Sequence, residues 1–105
     1  MDIRQLRWLY NASDSNSKWT KHCLEKMQER DICISDVESC LQTGEIIEDY
    51  PDDFPHPSCL IFGHTKQNKI LHIVVGLHKN TLFFITAYFP NTDKFETDLK
   101  TRKGQ

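Results

Sequence analysis

His22, Lys26 and Arg30 are spaced four apart in a stretch free of Gly and Pro. At 100° per residue they crowd one sector of a helix, with Glu29 beside them. That sector borders the apolar sector of Cys23 and Met27. The cations therefore stand at the edge of a helix–sheet junction, where two positive side chains and an imidazole can converge on one anion. A merely solvated cationic face is the competing reading. A second histidine, His72, lies in the alternating run Ile70–His78. Leu71, Ile73, Val75 and Leu77 share the apolar face that a core demands, which puts His72 on the opposite face with Ile70, Val74, Gly76 and His78. There it is a group that titrates near neutral pH, or else a histidine satisfied by a backbone carbonyl.

The following run, Leu82–Phe89, sends Leu82, Phe84, Thr86 and Tyr88 one way. Whether Tyr88 joins His72 depends on the turn between the runs, because a register shift of one residue turns a strand over. Lys79-Asn80-Thr81 offers no Gly for a two-residue primed turn, so a three-residue loop is expected, pairing 78 with 82 and hence 72 with 88. His72 and Tyr88 then stand side by side, with His22, Lys26 and Arg30 approaching from the helix. This is the equipment that metal-independent RNA cleavage needs. The neighbouring 2′-hydroxyl is the nucleophile, so an enzyme has only to move two protons and stabilise charge on phosphorus. In that reading His22 and His72 share the acid and base roles, Lys26 and Arg30 hold the phosphate, and Tyr88 orients a reacting group. Metal chemistry fits less well: His56, His64, His72 and His78 with Asp52 and Asp53 show no compact ligand spacing. Cys23, Cys33, Cys40 and Cys59 contain no C-x-x-C pair and read as thiols, so no metal or other cofactor is expected.

These groups need elements to position them. Ile3, Leu6, Leu9 and Tyr10 fit a first helix, ended by the small polar residues Asn11–Ser17. Ser17 is expected to cap a second helix running to about Arg30. Ser35-Asp36-Val37-Glu38 reads as the capping box of a short third helix, which Gly44 stops. Ile46-Ile47 reads as a short strand, and the prolines of Tyr50–Pro57 make a rigid acidic loop. Strands are expected at Ser58–His64, Ile70–His78 and Leu82–Phe89, with connections short enough for antiparallel hairpins. After Pro90, Asn91–Arg102 is polar apart from Phe95 and Leu99, which suits a short surface helix or a tail docked by two anchors. The sum is an α+β domain: two or three amino-terminal helices on one face of an antiparallel sheet of about four strands, the other face open for a site.

Composition bounds what such a domain can do. A chain of 105 residues with 38% apolar content can bury one core and no second. The formal charge of −2 advertises no basic surface, so a polyanion has to be met by a local patch. No apolar run approaches the roughly 20 residues of a membrane helix. Met1-Asp2-Ile3-Arg4 does not open a signal peptide, and a cytoplasmic location without membrane association is expected.

Five stretches carry a family resemblance: His22–Ile32, the Ser35-Asp36-Val37 cap, Gly44–Leu60, Leu71–Val75 and Thr86–Pro90. Together they resemble the prokaryotic domain-of-unknown-function family 4258 over about residues 20–103. Residues 1–16 are then an amino-terminal helix and loop outside the resemblance, and 17–105 a RelE-like α+β domain. The family differs from this chain in more often having Arg at position 26 and Gly at position 31. The resemblance implies a distant relation to RelE-like toxins: a toxin-like endoribonuclease of a type II toxin–antitoxin system, acting on RNA and neutralised by an antitoxin, in some cases a zinc-containing one. It also implies a site built from His22, Lys26, Arg30, His72 and Tyr88, with Arg102 as a late cation. A non-catalytic protein-interaction module on the same fold is the alternative.

Overall fold

The computed structural model describes residues 1–104. Helix α1, Ile3–Ala12, is capped by Asp2, whose carboxylate accepts the Arg4 N–H at 2.9 Å, and it buries Leu6 and Leu9. Ser17 does not cap the next helix, contrary to expectation. Ser17–Trp19 is instead a short strand, β1, and α2 spans Lys21–Glu29 with Thr20 as its cap, Oγ1 accepting the Cys23 N–H at 3.1 Å. The reason is the fit of Trp19, whose ring stacks on Phe84 at 4.1 Å; extended backbone delivers it there, and another helical turn would not. Helix α3, Ile34–Thr43, is capped two residues before the expected box, by Cys33, whose N–H donates to the Asp36 carboxylate at 3.1 Å. Glu38 is thereby free to accept from the Tyr10 hydroxyl at 2.5 Å, tying α3 to α1. Gly44 ends α3 by space and not by handedness, because a Cβ there would overlap the carbonyl oxygens of Cys40 and Phe62.

Four further strands follow: β2 Glu45–Tyr50, β3 Ser58–His64, β4 Ile70–His78 and β5 Thr81–Tyr88. Their order is β1-β5-β4-β3-β2, so the sheet has five strands and is mixed: β1 runs parallel to β5, and the rest is an antiparallel meander. All three helices lie on one face. There Leu71, Ile73 and Val75 of β4, Cys59 and Ile61 of β3, and Leu82, Phe84 and Ala87 of β5 pack with Leu6, Leu9, Cys23, Met27, Val37, Cys40 and Leu41. The period-two reading of β4 is correct in parity, since its odd-numbered residues face the helices.

His72 does pair with Tyr88, but not by the expected route. The turn is the tight one, with His78 opposite Thr81, and Lys79 rather than Gly adopts the left-handed backbone at φ 56°. Four residues along β5 the expected register is restored by a bulge: Val75 faces Phe84 and Val74 faces Thr86, leaving Ile85 unpaired. The turn is one residue shorter than expected and the bulge adds one unpaired residue to β5, and the two departures cancel at position 88. They also split β5, which gives Leu82 and Phe84 to the helix face and Thr86 and Tyr88 to the other.

That other face is not open. Residues 94–103 fold back over it as a small hairpin in which Phe95 bridges Arg102, Glu96 N–H donates to Thr101 O at 2.7 Å and Lys103 N–H to Lys94 O at 2.9 Å. Phe95 is buried as an anchor of the docked tail, Leu99 is half-buried and is held by its carbonyl on His72 Nε2, and no helix forms there.

Candidate functional site

Cross-strand pairing sets Glu45, Phe62, His72 and Tyr88 in one row across the sheet, with Glu48, Leu60, Val74 and Thr86 in the next. His72 is fully buried in that row. The rings of Phe62, Tyr88 and Phe95 meet it edge-on, Phe95 at 4.7 Å. Its Nε2 lies 2.7 Å from the Leu99 carbonyl oxygen and its Nδ1 lies 3.3 Å from the Tyr88 hydroxyl. A carbonyl only accepts, so Nε2 carries the proton; in the neutral ring Nδ1 is then a lone pair that accepts from the Tyr88 O–H. Burial holds the imidazole below its usual pKa and outweighs the Leu99 bond and the Glu48 charge, which favour protonation; Arg102 adds to the lowering. Burial likewise raises the Tyr88 phenol. The pair is thus a hydroxyl backed by a neutral, tautomerically fixed base.

Glu48 and Tyr50 belong to this face as well. Arg102 grips Glu48 with two bonds, Nε to Oε2 at 3.0 Å and Nη2 to Oε1 at 2.9 Å, and the Tyr50 hydroxyl donates to the same carboxylate. The Arg102 bonds hold the Glu48 carboxyl below the usual range, and burial together with Glu48 pushes Tyr50 up to about 12. Arg102 also lies 4.8 Å over the Phe95 ring. Sequence reading missed Glu48 and Tyr50, although an extended reading of the whole run Glu45–Tyr50 would have put the two on one side. Nothing in spacing pairs either with Arg102, 54 positions beyond Glu48.

Beside His72 opens a cleft of about 650 Å³, lined by Arg30, Lys94 and Arg102 among others, with Tyr88 and Phe95 in its wall. Of the residues singled out from sequence, it brings together Arg30, Tyr88 and Arg102. Arg30 reaches it from the end of α2, where Nη1 donates to Ala87 O at 2.8 Å and so satisfies the edge of β5 beyond short β1. Lys26 and His22 do not line it. Lys26 pairs with Glu29 at 3.2 Å, and exposed His22 lies in the first turn of α2, about 12 Å from Arg30 by helical rise. Thr20 anchors the start of α2 at Phe84 and Ile85 while Arg30 anchors its end at Ala87, so only that end meets Tyr88. Among the described residues, no three His, Cys, Asp or Glu side chains converge as metal ligands.

Residues 19–89 match the domain-of-unknown-function family DUF4258, and the chain belongs to that family. No curated protein and no solved structure matches it. No described helix is long and apolar enough to cross a membrane.

Proposed function

We propose that this DUF4258 member is a toxin-like endoribonuclease that cleaves RNA without a metal, using Tyr88 and His72 as a proton relay. The observation that carries the reading is the Tyr88 hydroxyl itself: it donates to the lone pair of a neutral imidazole and belongs to a side chain in the wall of a cleft that also receives Arg30, Lys94 and Arg102. In the reaction, the 2′-hydroxyl gives its proton to the Tyr88 oxygen as Tyr88 gives its own to His72 Nδ1. The 2′-oxygen bonds to phosphorus, the bond to the 5′-oxygen breaks, and that oxygen takes a proton from solvent. Imidazolium forms with the Glu48 charge nearby, while the cationic side chains stabilise the added charge on phosphorus. The products are a 2′,3′-cyclic phosphate and a 5′-hydroxyl. The resemblance to RelE-like toxins supplies the expected partner class, a neutralising antitoxin.

The test is cleavage of unstructured RNA in EDTA, on free message and on translating ribosomes, with end-group analysis. Tyr88→Phe keeps the ring and removes only the relay hydroxyl, and it should slow cleavage by about 10²-fold or more. Equal rates for the two proteins, or products lacking a cyclic phosphate, would overturn the assignment. One feature favours the second reading, an interaction module. Phe54 is 91% exposed in the acidic segment between β2 and β3, beside Asp52 and Asp53, and so presents an aromatic anchor to a basic partner.

A further inference from the structure

We infer that the hairpin of residues 94–103 is a strap that keeps the His72 site closed at rest, and that an anionic group entering the cleft opens it by taking Arg102 from Glu48. The regulation rests on the proposed relay only for its purpose; the opening itself is a property of the fold.

Four observations carry it. The strap covers His72, the one buried histidine among the described residues, and its tip supplies the Leu99 carbonyl that holds Nε2. Its attachments are few and mostly polar: Phe95 on the His72 ring, Arg102 on Glu48, and Lys100 on Glu45 at 2.9 Å with its ammonium 4.8 Å over Phe62. The Lys100 and Glu45 side chains are both well exposed, so that pair is of the kind water and salt weaken, and the bidentate Arg102–Glu48 pair is the strap's main polar clasp. Leu99 sits at φ 58° in a turn closed inside the hairpin, its N–H donating to Glu96 O at 2.9 Å, so the tip keeps its shape whether or not it is docked.

The fourth observation names the trigger. Arg102 contributes to the cleft wall while its guanidinium is bound bidentately by Glu48. A phosphate presents the same fork of oxygens as a carboxylate. An anion in the cleft therefore competes with Glu48 for one guanidinium. When it wins, the clasp three residues beyond Leu99 is undone, the carbonyl leaves Nε2, and Glu48 faces the imidazole without its counter-ion. The site becomes accessible in that step, and only with an anion present.

The His72 Nε2 proton reports the state of the strap directly, by its exchange with water in the imidazole NMR spectrum of the full chain. In the native protein it should exchange slowly, and Glu48→Gln, which loosens the clasp, should speed exchange by about tenfold or more. Inorganic phosphate should speed it in the native protein, chloride at matched ionic strength should not, and Arg102→Ala should be open and indifferent to phosphate. Amide protection of β3 and β4 in the same samples separates strap opening from unfolding. Should Arg102→Ala lose that protection, Arg102→Lys, which keeps the charge without the fork, replaces it. Native-like exchange in the clasp variants, or phosphate acting no differently from chloride, overturns the strap. Exchange that responds as described in a protein that cleaves no RNA overturns the nuclease and leaves the strap standing; cleavage without any exchange response does the reverse.

Discussion

The two faces of the sheet are covered by different physics. On the helix face, three elements bury a continuous apolar layer from Leu6 to Ala87, centred on Phe84 with Trp19 stacked on it and Tyr10 against its edge at 5.7 Å. On the other, a ten-residue hairpin covers His72 with one phenylalanine, one carbonyl and two ion pairs. Apolar area buried in bulk is lost only when the domain unfolds, whereas a cover held by a few polar contacts can come away by itself. A fold that needs a stable frame and an accessible base can meet both demands by assigning one face to each.

The difference is measurable. Phe84→Ala should cost about 3–5 kcal/mol, because a fully buried ring at the centre of the layer leaves a cavity its neighbours cannot close. Phe95 is nearly as well buried, yet Phe95→Ala should cost less than about 2 kcal/mol, because the loss is capped at the free energy of docking the hairpin. Urea midpoints of the two variants, at equal m-value, give the comparison. Equal costs would mean that the hairpin is part of the cooperative core, and the contrast between the faces would fail.

The legible parts of this molecule are those set by local periodicity. Alternation in β4 places Leu71, Ile73 and Val75 in the core and His72 opposite them, and the structure agrees because a buried sheet face tolerates no other parity. Sequence alone pairs Tyr88 with His72 only through a turn of the wrong length, since neither Lys79 at positive φ nor the extra residue Ile85 has a signal as clear as Asn-Gly. β1 was hidden inside a helix-compatible stretch, because only its distant partner Phe84 makes Ser17–Trp19 extended. The cover over His72 was half visible: Phe95 and Leu99 are readable as anchors, but a backbone carbonyl as histidine partner, and Arg102 meeting Glu48, depend on tertiary geometry alone. His22 joined the candidate site by its place on a helical wheel, which fixes direction around an axis and is silent on distance along it.

The faces also differ in their response to acid. His72 has its pKa lowered below the usual 6.5, chiefly by burial, so the unfolded chain binds this proton more readily than the folded one. Its contribution is intact above about 6.5 and is lost as pH falls through the folded-state value, at up to about 1.4 kcal/mol per pH unit while the two states differ in protonation. The lowered Glu48 contributes with the same sign but below the carboxylate range near 4.5, so the two windows are separate. Urea titrations at pH 7.5, 6 and 5 should show the native protein losing stability relative to His72→Gln, whose amide can still donate to Leu99 and accept from Tyr88. Parallel pH dependence in the two proteins would break the assignment of this window to His72.

The smallest effect tests where the frame ends and the cleft begins. α2 closes in a Schellman arrangement: Ile32 N–H donates to Met27 O at 2.8 Å, Asp31 N–H to Gln28 O at 3.3 Å, and Met27 and Ile32 are both buried. That geometry puts Asp31 in the left-handed region at φ 58°, which is the physical ground for glycine at this place. Asp31→Gly should therefore stabilise the domain by about 0.5–1 kcal/mol, seen as a higher urea midpoint at unchanged m-value. It also removes a carboxylate next to Arg30, the cation that α2 delivers to the cleft, so phosphate should bind somewhat more tightly. A stabilised protein with unaltered phosphate affinity would place Arg30 with the frame, as the cap of the β5 edge at Ala87, and leave the cleft to Lys94 and Arg102.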